Sequence, residues 1–172
     1  MSELRTNKIV PRDGLPSGAT GGGIIQIVQA ESGNRTETSS SSYVATSLSA
    51  TITPSSSSNK IYITLGGDAN NNGSGNYLYI TYYRSIDGGT FANIAPNGSN
   101  DSSSVDSNNG IAMIYGANSR IHVPVACPFL DSPATTSSVE YKVYIRSGAG
   151  TVEFPSNNNQ QPGRIFLSEV SG

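Results

Sequence analysis

From residue 24 onward, apolar and polar residues alternate in short runs with a period of two, the pattern of strands with one covered face. The clearest run is Lys60 to Leu65, where Ile61, Ile63 and Leu65 share one face and Tyr62 and Thr64 the other. In Tyr77 to Arg84, Leu78, Ile80 and Tyr82 oppose Tyr77, Tyr79, Thr81 and Tyr83, and Val139, Tyr141, Val143 and Ile145 alternate with Glu140, Lys142, Tyr144 and Arg146. A β-branched run at Ile24 to Gln29 predicts the first strand. Tyr43 to Thr53 predicts the second, with the broken alternation Val44, Leu48, Ala50, Ile52 ended by Pro54. Shorter strands are expected at 90–94, 110–115, 120–125, 151–154 and 164–170.

Polar segments separate these runs. Asp87-Gly88 is a tight-turn signature and predicts a hairpin between the strands on either side. Loops are expected at 31–42, 66–76, 96–109 and 156–163, and no stretch has the 3.6-residue period of an amphipathic helix. Nine or ten short strands without βαβ spacing point to an all-β fold, an antiparallel β-sandwich of jelly-roll type over residues 24–172.

Residues 1–23 read differently. Leu4, Ile9, Val10 and Leu15 are scattered among charged residues, Pro11 and Pro16, and Gly21-Gly22-Gly23 closes the segment. The prolines favour extended backbone and the glycines a hinge, so this is an extended arm whose spaced apolar residues are expected to dock on a partner. A frayed terminus is the alternative.

Composition supports strands and removes several functions. Ser (28), Gly (19), Asn (16) and Thr (13) are turn and loop formers, while only 13% of the 172 residues are charged. A net charge of −2 gives no basic field for nucleic acid. No apolar run approaches the ~20 residues of a membrane span, and no signal peptide is visible. Cys127 stands alone, which rules out an intrachain disulfide and reads as a small buried filler.

Candidate chemistry is sparse. Any acyl-transfer system would need His122 or Cys127, and no nucleophile-elbow pattern accompanies them. Asp68 to Gly73 resembles the opening of a calcium loop, but its twelfth position is Tyr79, so a solvated turn is the simpler reading and a weak calcium site at Asp68 the alternative. Among the acids, Asp87 and Asp131 read as turn residues and Glu140 and Glu153 as outward strand positions, not as a glycosidase pair. Neither enzymatic activity nor a cofactor is expected. The tyrosines stand out instead: Tyr62, Tyr77, Tyr79, Tyr83 and Tyr144 lie opposite the aliphatic rows of their strands, where a ring with a hydroxyl suits a subunit interface or a sugar-stacking surface. Scattered surface tyrosines without a shared role are the alternative.

Several segments resemble small structural proteins of tailed-phage virions, particularly the fibre-like proteins of cyanobacterial and marine phages. They are Ser2 to Gly14, the Gly-rich step into Ile24-Ile25-Gln26-Ile27-Val28-Gln29, Ile52-Thr53-Pro54 with Lys60-Ile61, Phe129 to Pro133, Tyr141-Lys142-Val143 and Leu167 to Val170. The resemblance implies a homotrimer of jelly rolls, held to other virion proteins by the arm and without enzymatic activity. No heptad, collagen-like or β-helix repeat is present to build a long shaft. The expectation is therefore a short tail-fibre or baseplate-attached knob in the virion, adhering to host-surface glycan through Tyr-bearing surfaces. Leu4, Ile9, Val10 and Leu15 would anchor it. A capsid decoration protein is the first alternative and a carbohydrate-binding module the more distant one.

Overall fold

The computed structural model describes residues 23–72, 75–95, 110–116, 121–156 and 161–172. Twelve strands make up the regular structure of these residues, and none of them is helical. In chain order they are β1 (Ile24–Ser32), β2 (Glu37–Thr38), β3 (Val44–Ile52), β4 (Lys60–Asn71), β5 (Asn76–Ile86), β6 (Ala92–Asn93), β7 (Ala112–Gly116), β8 (Ile121–Ala126), β9 (Phe129–Asp131), β10 (Val139–Ser147), β11 (Val152–Glu153) and β12 (Gly163–Val170).

Two antiparallel sheets result. One runs β1-β12-β4, with β8 and β9 one after the other along the far edge of β4 and β11-β2 at its end; the other runs β3-β10-β5, with β6 and β7 along β5. First therefore pairs with last, second with next-to-last, and so inward to the β5–β7 pair, as when one long hairpin is wound into a barrel. This order defines a jelly roll.

The alternating apolar residues meet between the sheets. Leu48, Ile61, Ile63, Leu78, Ile80, Tyr82, Tyr141, Val143, Ile145, Phe154, Ile165 and Leu167 are all fully buried. Tyr82 satisfies its hydroxyl there by donating to the Cys127 carbonyl at 2.6 Å. Cys127 is itself buried, which pushes its thiol pKa up to about 11 and fits the filler role read from the sequence.

The expected hairpin is present. Asp87 and Gly88 both have positive φ (50° and 71°), and Gly89 N–H donates to the Ile86 carbonyl at 2.9 Å, a mirror-image turn that matches strand twist. The broken alternation of β3 is a bulge: the β10 partners step from Lys142↔Ser49 to Tyr144↔Ala45. Thr46 turns inward at this bulge. Its hydroxyl donates to the Val143 carbonyl (2.9 Å) and accepts from Leu48 N–H (3.2 Å).

The loop expected at 66–76 is largely strand, because β4 continues to Asn71 and pairs with both β8 and β11. Its polar side chains find partners inside the protein: Asn70 donates to Glu153 and Asn71 to the Asn76 carbonyl. Tertiary pairing has overridden local composition there. The solvated turn read at Asp68 to Asn71 is corrected for the same reason, and the calcium-loop alternative with it, since Asp68, Asn70 and Asn71 are strand residues and the two asparagines are fully buried. Two further expectations are corrected. Asp131 is a buried member of β9, held by Arg84 and Tyr141, and Glu153 is buried on β11, held by Arg35 and Asn70. The expected 96–109 loop and the arm, apart from Gly23, lie outside the described residues.

A buried carboxylate ties the ends of the roll together. Glu169 on β12 is fully buried and accepts from Gln26 of β1 (2.6 Å), Asn59 (2.6 Å), and the Ser55 backbone N–H (2.7 Å) and hydroxyl (2.8 Å). Burial alone would raise its pKa, but the donors outweigh burial and bring it from the ordinary 4.5 down to about 2. A depressed carboxylate contributes stability above its unfolded pKa and loses it as pH falls toward the folded one. Acid unfolding of the wild type is therefore expected to steepen from about pH 4.5 toward pH 2. Glu169→Gln, followed by circular dichroism across that window, is expected to show a flatter profile from a lower plateau. Equal slopes would contradict the assignment.

Candidate functional site

The outer face of the β3-β10-β5-β7 sheet carries a continuous run of rings and cations. Lateral pairing brings it together, because Tyr144 opposes Thr81, Lys142 opposes Tyr83, and Arg146 opposes Tyr79 across β10 and β5, while Tyr77 opposes Tyr115 across β5 and β7. Lys142 Nζ lies 4.7 Å from the centre of the Phe91 ring, which tilts against Tyr144 at 6.3 Å. Tyr144 and Tyr83 stack at 3.9 Å, and Tyr83 meets Tyr43 edge-on at 6.2 Å. The Arg146 guanidinium then sits between two rings, 3.7 Å from Tyr79 and 5.4 Å from Tyr43. Tyr79 stacks beside Tyr77 at 6.2 Å, and Tyr77 meets Tyr115 at 4.8 Å.

Gly148 fixes one end of this run. A Cβ there would fall 2.9 Å from that of Tyr77 and 3.1 Å from the Tyr79 ring, so its bare backbone leaves room for both side chains. Tyr79, with the Arg146 guanidinium over its ring, is only 4% exposed, whereas Tyr77, Tyr83 and Tyr144 are half-buried and Tyr115 is exposed. Burial and then the neighbouring Tyr144 raise the Tyr83 phenol pKa, and burial and then Glu140 raise that of Tyr144. Both therefore remain neutral hydrogen-bonding groups at physiological pH.

Of the tyrosines singled out in the sequence, Tyr77, Tyr79, Tyr83 and Tyr144 come together on this face. Tyr62 does not. It lies on the outer face of the other sheet, in a lateral row Ile27–Ser168–Tyr62–Leu130 across β1, β12, β4 and β9. Ile27, Tyr62 and Leu130 in that row are 60%, 41% and 50% exposed, and Ile24 and Ile25 extend the exposed apolar surface along β1, the edge strand. The anchoring positions Leu4, Ile9, Val10 and Leu15 lie outside the described residues. The sequence reading missed Tyr43, Phe91, Tyr115, Lys142 and Arg146. The alternation along β10 already put Lys142 and Arg146 on the face of Tyr144, and that was the available signal.

A separate cleft of about 460 Å³ opens beside β8, lined by Asp68, His122, Pro124, Gln161 and Arg164 among others. His122 Nδ1 donates to the Asp68 carboxylate at 2.7 Å, and the Ser156 hydroxyl lies 3.4 Å from that same nitrogen. A hydrolytic triad places the nucleophile against the opposite ring nitrogen from the acid. Here both neighbours share one nitrogen and Ser156 is fully buried, so the arrangement positions His122 without activating a serine. Among the described residues no three His, Cys, Asp or Glu side chains gather where they could hold a metal ion. No helix of these residues is long and apolar enough to cross a membrane.

No protein-family model matches the chain, and no curated protein does. Distant likenesses exist among solved structures. The structure of the infectious bursal disease virus Gt strain is 13% identical over 84% of this chain and 39% of its own, with a TM-score of 0.33. For the Gx strain of that virus the figures are 13%, 84%, 38% and 0.35, and for its VP2 subviral particle 13%, 84%, 39% and 0.34. This chain thus spans less than two-fifths of the viral chains it matches. The jelly-roll assignment rests on the strand order described above.

Proposed function

We propose that this protein is a structural component of a phage virion, a short trimeric knob on a tail fibre or baseplate that adheres to glycans of the host surface. The observation that carries the reading is the division of labour between the two outer sheet faces. One bears the exposed row of Ile27, Tyr62 and Leu130 beside an apolar edge strand, surface that a lone jelly roll would leave in water. Contact with other copies removes it from solvent. The other bears half-buried tyrosines that offer flat apolar rings with polar rims, suited to the faces and hydroxyls of sugars. Three such faces in one particle give avidity even where each site is weak. In this reading the protein binds without turnover.

The resemblance of residues 2–14 to virion proteins supports the arm as the anchor. Removal of residues 1–23 is expected to leave a folded sandwich that no longer enters particles, measured by the protein content of purified virions. Normal incorporation of the truncated chain would overturn the anchor. Copy number separates the capsid-decoration alternative, since a knob is present in a few trimers and a shell decoration in hundreds of copies.

A further inference from the structure

We propose that Arg146 is the anion subsite of the tyrosine face and that the ligand it selects is a carboxylated saccharide; this rests on the adhesion reading above and specifies it. Arg146 is 5% exposed, and its Nε and Nη2 are enclosed without a hydrogen-bond partner among the described residues. The other cations with ionic partners are differently placed: Arg35 pairs with Glu37 and Glu153, Arg84 with Asp131, Lys142 with Glu140, and Arg164 with Glu31. Among the described residues no carboxylate pairs with Arg146.

A buried cation with no counter-ion among the described residues works against folding, and its contacts with the Tyr43 and Tyr79 rings offset only part of that cost. An unbranched apolar side chain of similar length would pack the same slot without the penalty. The fold thus carries a positive group, set between two rings, whose complementary partner is an anion. A guanidinium matches the planar fork of a carboxylate. The rings that flank it, Tyr83 and Tyr144 on one side and Tyr77 and Tyr115 on the other, are where the body of a sugar would stack. A hexuronic acid unit combines those two features, and a neutral hexose supplies only the second. Because Arg146 is enclosed between the Tyr43 and Tyr79 rings, seating the acid requires a side-chain movement that opens the guanidinium to solvent.

The test uses the full chain with three soluble polymers: polygalacturonate, neutral dextran and dextran sulfate. Titration calorimetry is expected to show binding to polygalacturonate that weakens with added salt, with dextran at least tenfold weaker and dextran sulfate weaker than the carboxylate polymer. Arg146→Met should lose at least tenfold in affinity for polygalacturonate while its thermal midpoint stays level or rises, because the unpaired charge is gone. Arg146→Lys, which keeps the charge and lacks the fork, should fall between the two. Unchanged polygalacturonate binding by Arg146→Met overturns the subsite, as does a lowered midpoint with affinity intact, which would make the arginine purely structural. Equal binding of dextran and polygalacturonate also overturns it, although adhesion to glycan would stand. Absence of binding to all three polymers and to host cells would remove the adhesion reading as well.

Discussion

Asp131→Ala is expected to lower the thermal midpoint by about 6–12 °C. Asp131 is buried on β9, and both its oxygens accept from Arg84 Nη1, at 2.9 and 2.8 Å. One of them also accepts from the hydroxyl of fully buried Tyr141 at 2.7 Å. Removing the carboxylate leaves a partly buried guanidinium and a buried phenol without their acceptor. Breaking such a pair from one side costs about 3 kcal/mol or more, and in a domain of this size each kcal/mol moves the midpoint by about 2–4 °C. Tyr141→Phe removes only the neutral donor and is expected to cost about 1 kcal/mol. Scanning calorimetry of the two variants tests the ordering, and an Asp131→Ala midpoint within 2 °C of wild type, with roughly the same enthalpy, would contradict the network's role.

The second large effect concerns assembly. Ile27→Asp combined with Leu130→Asp places charges at both ends of the apolar row on the β1-β12-β4-β9 face, and the proposed contact between copies is expected to weaken by at least about 100-fold, because a charge desolvated in an interface must find a partner or pull it apart. Folding should be almost untouched. Both side chains are already half or more exposed in the single chain, so its stability should shift by no more than about 0.5 kcal/mol per site. Sedimentation velocity at micromolar concentration, alongside far-ultraviolet circular dichroism, separates the two effects. A doubly charged variant that sediments as wild type does would place the contact elsewhere.

Where one side chain in two had to be buried, the strands were readable before the structure. In β10 the residues Val139, Tyr141, Val143 and Ile145 all point inward and are fully buried, as their alternation requires. The continuation of β4 through Gly66 to Asn71 was not readable. Its residues are polar or tiny, and they become a strand only because Glu153, Asn76 and the edges of β8 and β11 supply partners more than forty residues away or across a turn. Alternation likewise shows which face of its own strand a residue occupies, but not which sheet the strand joins. Tyr62 was therefore grouped with Tyr77, Tyr79, Tyr83 and Tyr144, although β4 and β5 belong to opposite sheets. Asp131 and Glu153 read as solvated acids in the sequence because their partners, Arg84 and Arg35, are distant along the chain.

The proposal that this protein works as one of several copies is tested most directly by the mass of the full-length chain in solution. Sedimentation equilibrium across a range of micromolar concentrations is predicted to give three times the 17.9 kDa of the single chain. A stable 17.9 kDa species at every concentration, with the apolar row still open to solvent, would contradict the account.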